Sequence, residues 1–458
     1  MSSKAGQCII KVVNRSLSLD LTKKIGEEVL LKGWVERVRS HGKIAFFDLR
    51  DMSETVQIAA FDDLALKVAG LGVQDVVEVE GLVKAREERY INKEVPTGSI
   101  EVELKSLKVI VKSQEMPFDM GGKDLDLQLP TLLDYRALTL RHSKVREIFL
   151  IQSALLSGFR KAAESLSCVE LSVPTIAASA TEGGAEVFDI NYYGHRAYLT
   201  QSPQLYKQMM IPVFERVFTI SHAYRAEPSV TTRHLSESTQ MDCEFGFVDF
   251  QMLLDLLEEV VIKMLKEVEA TCGDILKARG VEKLLLGKTP RLTLRESQKI
   301  IYKETGRDNR KEKDLTPQDE IDICEWAKKN HNSDLVTITH FPTAKRAFYT
   351  MPDPNDPEYS LSYDVLFRGV EISSGSQRIS DYNELVQTIK NRGMNPKNFE
   401  LYLQAFKYGM PPEGGFSFGL ERMTMHILNL ANVREASLFP RDMERVDERF
   451  SQIEEKEV

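Results

Sequence analysis

Val217-Phe218-Thr219-Ile220-Ser221-His222-Ala223-Tyr224-Arg225-Ala226-Glu227 is a β-branched and aromatic run that opens into a polar loop. The chain returns through Thr231-Thr232-Arg233-His234-Leu235 to Gln240-Met241-Asp242-Cys243-Glu244-Phe245. Two extended segments about one loop read as a long hairpin. Arg225, Arg233 and His234 bring a cluster of cationic donors to it. Asp242 and Glu244 stand two apart on the return strand and so face the same way. Taken alone, the hairpin also reads as a surface feature with its charges in water.

Two more segments carry related groups. In Arg368-Gly369-Val370-Glu371-Ile372-Ser373-Ser374-Gly375-Ser376-Gln377-Arg378, Glu371 and Ser374 could place oxygens on Mg²⁺, since hard cations take carboxylate and hydroxyl ligands. By itself the segment is a strand running into a glycine turn. Gly414-Gly415-Phe416-Ser417-Phe418-Gly419-Leu420-Glu421-Arg422-Met423 is glycine-rich and then apolar-helical. Such a strand lets a nucleotide approach the backbone, and an Arg at its exit can reach a terminal phosphate bidentately. It has neither the Lys-Ser/Thr ending of a P-loop nor a G-x-G-x-x-G fingerprint.

The chain around these segments has 458 residues, 60 Lys+Arg against 69 Asp+Glu, a net charge of −9 and 42% hydrophobic residues. That composition is globular and not disordered, and the length suits two unequal domains or three. No apolar run approaches the roughly 18 residues of a membrane span. Met1-Ser2-Ser3-Lys4-Ala5-Gly6 lacks a signal-peptide core, so a cytoplasmic protein is expected. Five scattered cysteines (Cys8, Cys168, Cys243, Cys272, Cys324) point to reduced thiols, with neither a disulfide framework nor a zinc site expected. The acidic balance argues against nonspecific coating of nucleic acid but leaves room for a local basic groove. Residues from about Glu27 to Lys112 read as five or so short strands with one helix at Asp63–Val68, a small barrel. Ser113 to Pro130 reads as linker, and the remainder as alternating strands and helices, an α+β pattern. From Arg141 to Leu166, Val145, Ile148, Phe149, Ile151, Leu155, Leu156 and Phe159 make one apolar helical face.

In order, the helix and strand ending at Pro174, the Tyr224-Arg225-Ala226-Glu227 hairpin and the Gly419-Leu420-Glu421-Arg422 strand–helix resemble the three motifs of class II aminoacyl-tRNA synthetases. The resemblance is closest to the aspartyl enzymes, because Gln201-Ser202-Pro203-Gln204-Leu205-Tyr206-Lys207-Gln208 is similar to their amino-acid-binding motif. Thr181-Glu182-Gly183-Gly184-Ala185-Glu186 resembles their mobile loop. The match runs from about Leu19 to Asp447. It implies an OB-fold anticodon-binding barrel over 1–112, a linker over 113–135 and a class II catalytic domain over 136–458, built on an antiparallel sheet flanked by helices.

The resemblance also implies the chemistry. L-aspartate would be activated by ATP, with Mg²⁺, and passed to tRNA(Asp). Arg225 would neutralise the α-phosphate and Arg422 hold the γ-phosphate, assisted by Arg233 and His234. Glu227 would meet the adenine amino group or the tRNA 3′ end, and Leu235 completes the ATP set. Glu371 and Ser374, with Glu244, would organise Mg²⁺. Lys207 and Arg378 would pair with the aspartate side chain, Asp242, Gln204 and Glu182 with its ammonium, and Ser374 would also serve the amino acid. Arg39, Phe46, Gln57 and Glu101 would contact the anticodon, Phe46 by stacking and Gln57 at a base edge. The resemblance implies a homodimer in which the apolar helix preceding Pro174 could pack against its own copy, while helical periodicity alone would equally suit a buried core helix.

Ser238 stands where the family usually has an adenine-stacking aromatic, which predicts weaker ATP binding. The rival readings are an enzyme that also aspartylates tRNA(Asn), an asparaginyl synthetase, and an inactive tRNA-binding relative.

Overall fold

The computed structural model describes residues 14–93, 95–122, 124–178, 187–228 and 231–452. The chain divides after Asp126 into two compact units, so the break lies inside the stretch read as linker. Ser113 and Lys112 still tie back to the first unit through the Asp75 carboxylate, at 2.8 and 2.7 Å.

The first unit is a closed five-stranded barrel in the order β1-β2-β3-β5-β4. Its strands are β1 (Glu28–His41), β2 (Ile44–Arg50), β3 (Thr55–Phe61), β4 (Val76–Ala85) and β5 (Ile100–Val111). Alternation decides what each strand buries. On β2, Ala45, Phe47 and Leu49 enter the core while Phe46 and Asp48 stay half-buried on the outer face. The helix Asp63–Ala69 plugs the barrel with Ala65 and Val68.

The second unit adds β6 (Val169–Glu170), β7 (Ile176–Ala177), β8 (Asp189–Tyr192), β9 (His195–Leu199), β10 (Arg216–Tyr224), β11 (Glu237–Gly246), β12 (Arg291–Thr293), β13 (Leu335–Thr339), β14 (Ser362–Phe367), β15 (Val370–Gln377) and β16 (Glu413–Gly419). Eight of them form one sheet in the order β12-β13-β14-β15-β16-β11-β10-β6. Its inner six strands pair antiparallel, and only the outermost pair at each edge is parallel. The predicted hairpin is β10–β11, in register from Arg216↔Phe245 to Tyr224↔Glu237.

One face of this sheet is apolar. Phe218, Met241, Cys243, Phe245, Phe416 and Phe418 lie against the helices Ser143–Ser165 and Phe250–Ala278. Those two helices approach closely at Gly158, where a Cβ would come within 3.0 Å of the Met264 backbone. This bears on the two readings of that helical face. Val145, Ile148, Ile151, Leu155 and Phe159 are spent on the chain's own core, so that face is not open to a second copy. Leu150 remains exposed on the helix. Among the described residues, no helix is long and apolar enough to cross a membrane.

Candidate active site

The opposite face of the large sheet is polar, and strand periodicity lays out its groups in lines. Along β11, Ser238, Gln240, Asp242 and Glu244 point the same way, and along β16 so do Gly419, Ser417, Gly415 and Glu413. Cross-strand pairing then sets Asp364, Ser374, Ser417 and Asp242 side by side in one row over β14, β15, β16 and β11. Neighbouring strands lie about 4.8 Å apart, so the row spans a ligand of modest size.

The outer part of this face is an open cleft. Arg225, Glu227, Arg233, His234, Leu235, Ser238, Glu371, Ser374, Ser417 and Arg422 all line it. The hairpin, the Glu371–Ser374 segment and the glycine-rich strand with its following helix therefore converge. Their charges meet loosely: Arg225 is 4.0 Å from Glu227, His234 3.5 Å from Glu227, and Arg422 3.9 Å from Glu371. Arg233 lies 3.9 Å from Glu320, a residue the sequence reading did not single out. Asp364 and Arg346 were missed as well. Arg346 donates to Asp364 at 2.6 Å and to the Ser374 hydroxyl at 3.3 Å. Burial and the neighbouring Asp364 push the Glu371 carboxyl up to about 7, against the pull of Arg422 and Arg346. Burial pushes Glu320 to about 7 too, although Arg233 and Arg422 draw it down.

Deeper along the same face the charges are sequestered. Lys207, on the short helix Gln204–Met209, has a side chain only 1% exposed and donates to Asp242 at 2.8 Å. Its Nζ is also 3.1 Å from Glu244. Arg378 donates to Glu244 at 2.8 Å through Nε, to Gln204 at 3.3 Å and to the Gly415 carbonyl at 3.1 Å. Burial alone would strip the proton from Lys207, but Asp242 and Glu244 hold it charged. Burial alone would raise Glu244, yet Arg378 and Lys207 outweigh it and keep that carboxyl down at about 2. Gly415 must be glycine here, because a Cβ would stand 2.2 Å from a Glu244 carboxylate oxygen.

The Glu244 assignment is therefore corrected. Both its oxygens face Lys207 and Arg378 in a fully buried position, so it has none to share with Glu371 and Ser374. Ser417 joins the two compartments, for it lines the outer cleft and donates to Asp242 at 3.1 Å. Glu182 and the loop 181–186 lie outside the described residues.

Among the described residues no group of three or more His, Cys, Asp or Glu forms a metal cage. Magnesium needs less, since it keeps several waters and binds one or two carboxylates together with substrate phosphates. Glu371, Ser374 and Asp364 fit that demand: all carry hard oxygens, and Asp364 Oδ1 is buried without a hydrogen-bond partner.

In the barrel, Arg39 donates to Asp48 at 2.8 Å and to Gln57 at 3.2 Å, and Gln57 donates to Glu101 at 3.1 Å. Phe46 pairs with Arg39 across β1–β2 on this outer face. All four predicted residues thus share one polar surface, with Asp48 as an unpredicted member.

The family comparison agrees with this layout. Residues 128–443 match the model described as tRNA synthetases class II (D, K and N), and residues 29–110 match an OB-fold nucleic acid binding domain. The chain belongs to the class II tRNA synthetases of the D, K and N group. The synthetase is 38% identical over 448 residues to the aspartate–tRNA(Asp/Asn) ligase of Thermus thermophilus, covering 94% of this chain and 99% of that one. It is 37% identical to the aspartate–tRNA(Asp) ligase of Picrophilus torridus, covering 92% and 97%. Among solved structures it resembles asparaginyl-tRNA synthetase from Pyrococcus horikoshii complexed with asparaginyl-adenylate, with a TM-score of 0.86, 30% identity and coverage of 95% and 99%.

Proposed function

We propose that the synthetase is an aspartate–tRNA ligase that forms aspartyl-adenylate from L-aspartate and ATP and transfers the aspartyl group to the 3′ end of tRNA. One observation carries this reading. Two cations, Lys207 and Arg378, are fixed among the buried carboxylates Asp242 and Glu244, and Asp242 accepts from Ser417, which lines a cleft together with Arg225, Arg233 and Arg422. A dicarboxylic amino acid suits the inner compartment and a triphosphate the outer one. The likeness to aspartate–tRNA ligases supports the same substrate.

The substrate carboxylate attacks the α-phosphorus and releases pyrophosphate. The terminal ribose hydroxyl of tRNA then attacks the acyl-adenylate and releases AMP. Neither step needs a side-chain nucleophile, so the protein contributes positioning and charge. Arg225 meets the α-phosphate, and Arg422 holds the γ-phosphate with Arg233 and His234. Glu227 meets the adenine amino group or the tRNA end, and Leu235 lies against the nucleotide. Glu371 and Ser374, with Asp364 beside them, would hold Mg²⁺, which would supply neutralisation of phosphate charge when bound. Lys207 and Arg378 take the aspartate side chain, while Asp242, Gln204 and Glu182 take its ammonium, with Ser374 at its carboxylate. Asparagine is almost isosteric but brings no side-chain charge, so it gains none of the attraction that Lys207 and Arg378 offer the aspartate carboxylate.

In the barrel, Phe46 stacks on an anticodon base, and Arg39, Gln57 and Glu101 read or flank its neighbours. The working unit is a homodimer, formed through surface other than the buried face of the Ser143–Ser165 helix. Pyrophosphate exchange with aspartate and asparagine side by side tests the activation step. Exchange that is faster with asparagine would overturn the aspartate reading. Charging of tRNA(Asp) and tRNA(Asn) then shows whether one or both are aspartylated.

A further inference from the structure

Glu413 opens β16 and is fully buried beside Glu244 and Arg378. Its Oε1 accepts from the Gln208 side-chain amide at 2.7 Å, and Gln208 in turn accepts from the Tyr402 hydroxyl at 3.1 Å. Among the described residues its Oε2 meets no donor, yet the carboxyl is within hydrogen-bonding reach of Glu244. When two buried carboxyl groups share one site, the charge on one strongly disfavours ionisation of the other. Glu244 is the one already committed to Arg378 and Lys207. The orphaned Oε2 is thus accounted for if it carries the proton. Burial and the Glu244 charge push Glu413 well above the ordinary carboxylate range, in the same direction.

We infer that Glu413 is a positioning residue for amino-acid selection, a neutral carboxylic acid that donates to Glu244 and fixes it between Lys207 and Arg378. The inference rests on the assignment of Lys207 and Arg378 to aspartate. Its consequence is a matter of charge count. Lys207 and Arg378 balance Asp242 and Glu244, so with Glu413 neutral the empty pocket has no net charge. An ionised Glu413 would leave the pocket negative before a dicarboxylic substrate arrived, a cost that asparagine would not share. The groups facing Glu413 are Glu244 from β11, Arg378 after β15, Gln208 from the Gln204–Met209 helix and Tyr402 from the Glu400–Lys407 helix.

Pyrophosphate exchange with three variants of the full chain tests this. Glu413→Gln keeps an acceptor for Gln208 and a donor for Glu244 and cannot ionise, so the KM for aspartate stays within about twofold of wild type. Glu413→Met keeps the bulk but loses the donor; its aspartate KM rises about tenfold at little changed kcat, the size expected for a lost hydrogen bond to a charged group. Arg378→Met is the control and raises aspartate KM more than either. If Glu413→Gln is as impaired as Glu413→Met, or Glu413→Met matches wild type, the inference is overturned. If Arg378→Met also leaves aspartate KM unchanged, the pocket assignment itself has failed. Should Glu413→Met not fold, the infrared difference spectrum between wild type and Glu413→Gln decides: a protonated carboxyl stretch present only in wild type supports the neutral acid, and its absence sinks it.

Discussion

Lys207 and Arg378 have side chains 1% and 5% exposed and meet carboxylates at 2.8 Å, whereas Arg225 and Arg422 are 43% and 35% exposed and meet theirs at 4.0 and 3.9 Å. The two compartments hold similar residue types under opposite conditions. In the inner one, each charge is desolvated and must be matched by the protein before any ligand arrives. In the outer one, water shares the load, and the arginines are free to exchange weak partners for phosphates. Selection of a small amino acid calls for the first arrangement; reception of a flexible, highly charged nucleotide calls for the second.

The comparison breaks first at Lys207. Lys207→Met strands Asp242 and part of Glu244 without a cation, and a buried pair broken on one side costs about 3–5 kcal/mol. Chemical denaturation should therefore show a large loss of stability, and a wild-type midpoint would mean that the inner charges are not committed. In the outer cleft, Arg225→Ala should fold normally. Its exchange rate should fall about 10²–10³-fold, as when a transition-state charge stabiliser is removed. A stability loss comparable with that of Lys207→Met would erase the distinction between the compartments.

Acidity sharpens it further. Glu320 lies at about 7 in the folded chain against an ordinary 4.5, so the native state binds the extra proton and its stability falls as pH rises through that window. Glu320→Gln should be more stable than wild type near about pH 8 and indistinguishable near about pH 4, which paired urea melts at the two pH values would reveal. An equal difference at both would refute the assignment of that proton. The smallest effect concerns Ser238, which lines the outer cleft without a ring. Ser238→Phe should lower the KM for ATP by about fivefold, near the low end of a base-stacking contact, while aspartate KM stays put. No change in ATP KM would mean that adenine lies elsewhere in the cleft.

How much of this was legible in the sequence depended on the kind of signal. The β10–β11 hairpin was readable because β-branched and aromatic runs flank a polar loop. Alternation correctly put Asp242 and Glu244 on one face. It could not say which partner each would meet: Glu244 was grouped with the metal, but Lys207 arrives from a helix and Arg378 from beyond β15. Asp364 had a findable signature, a lone acid within Tyr363-Asp364-Val365-Leu366-Phe367. Glu413 had one too, an acid among glycines and aromatics at the start of a buried strand. Glu320 was hidden, because an acid in the first turn of a helix ordinarily needs no explanation beyond the dipole. Arg346 follows a short turn with no periodicity to mark it. The apolar helix before Pro174 was seen, but periodicity does not distinguish a face turned to the chain's own core from one turned to a copy.

That Lys207 and Arg378 both lean on Glu244 also constrains the lineage of such a pocket. A drift toward a different amino acid cannot proceed by replacing one of the three at a time, because each single step leaves an unmatched ion in a dry interior. Descendants would have to alter donor and acceptor together, or first admit solvent. Stepwise evolution is far easier in the outer cleft, where neighbours are slack enough for one residue to change alone.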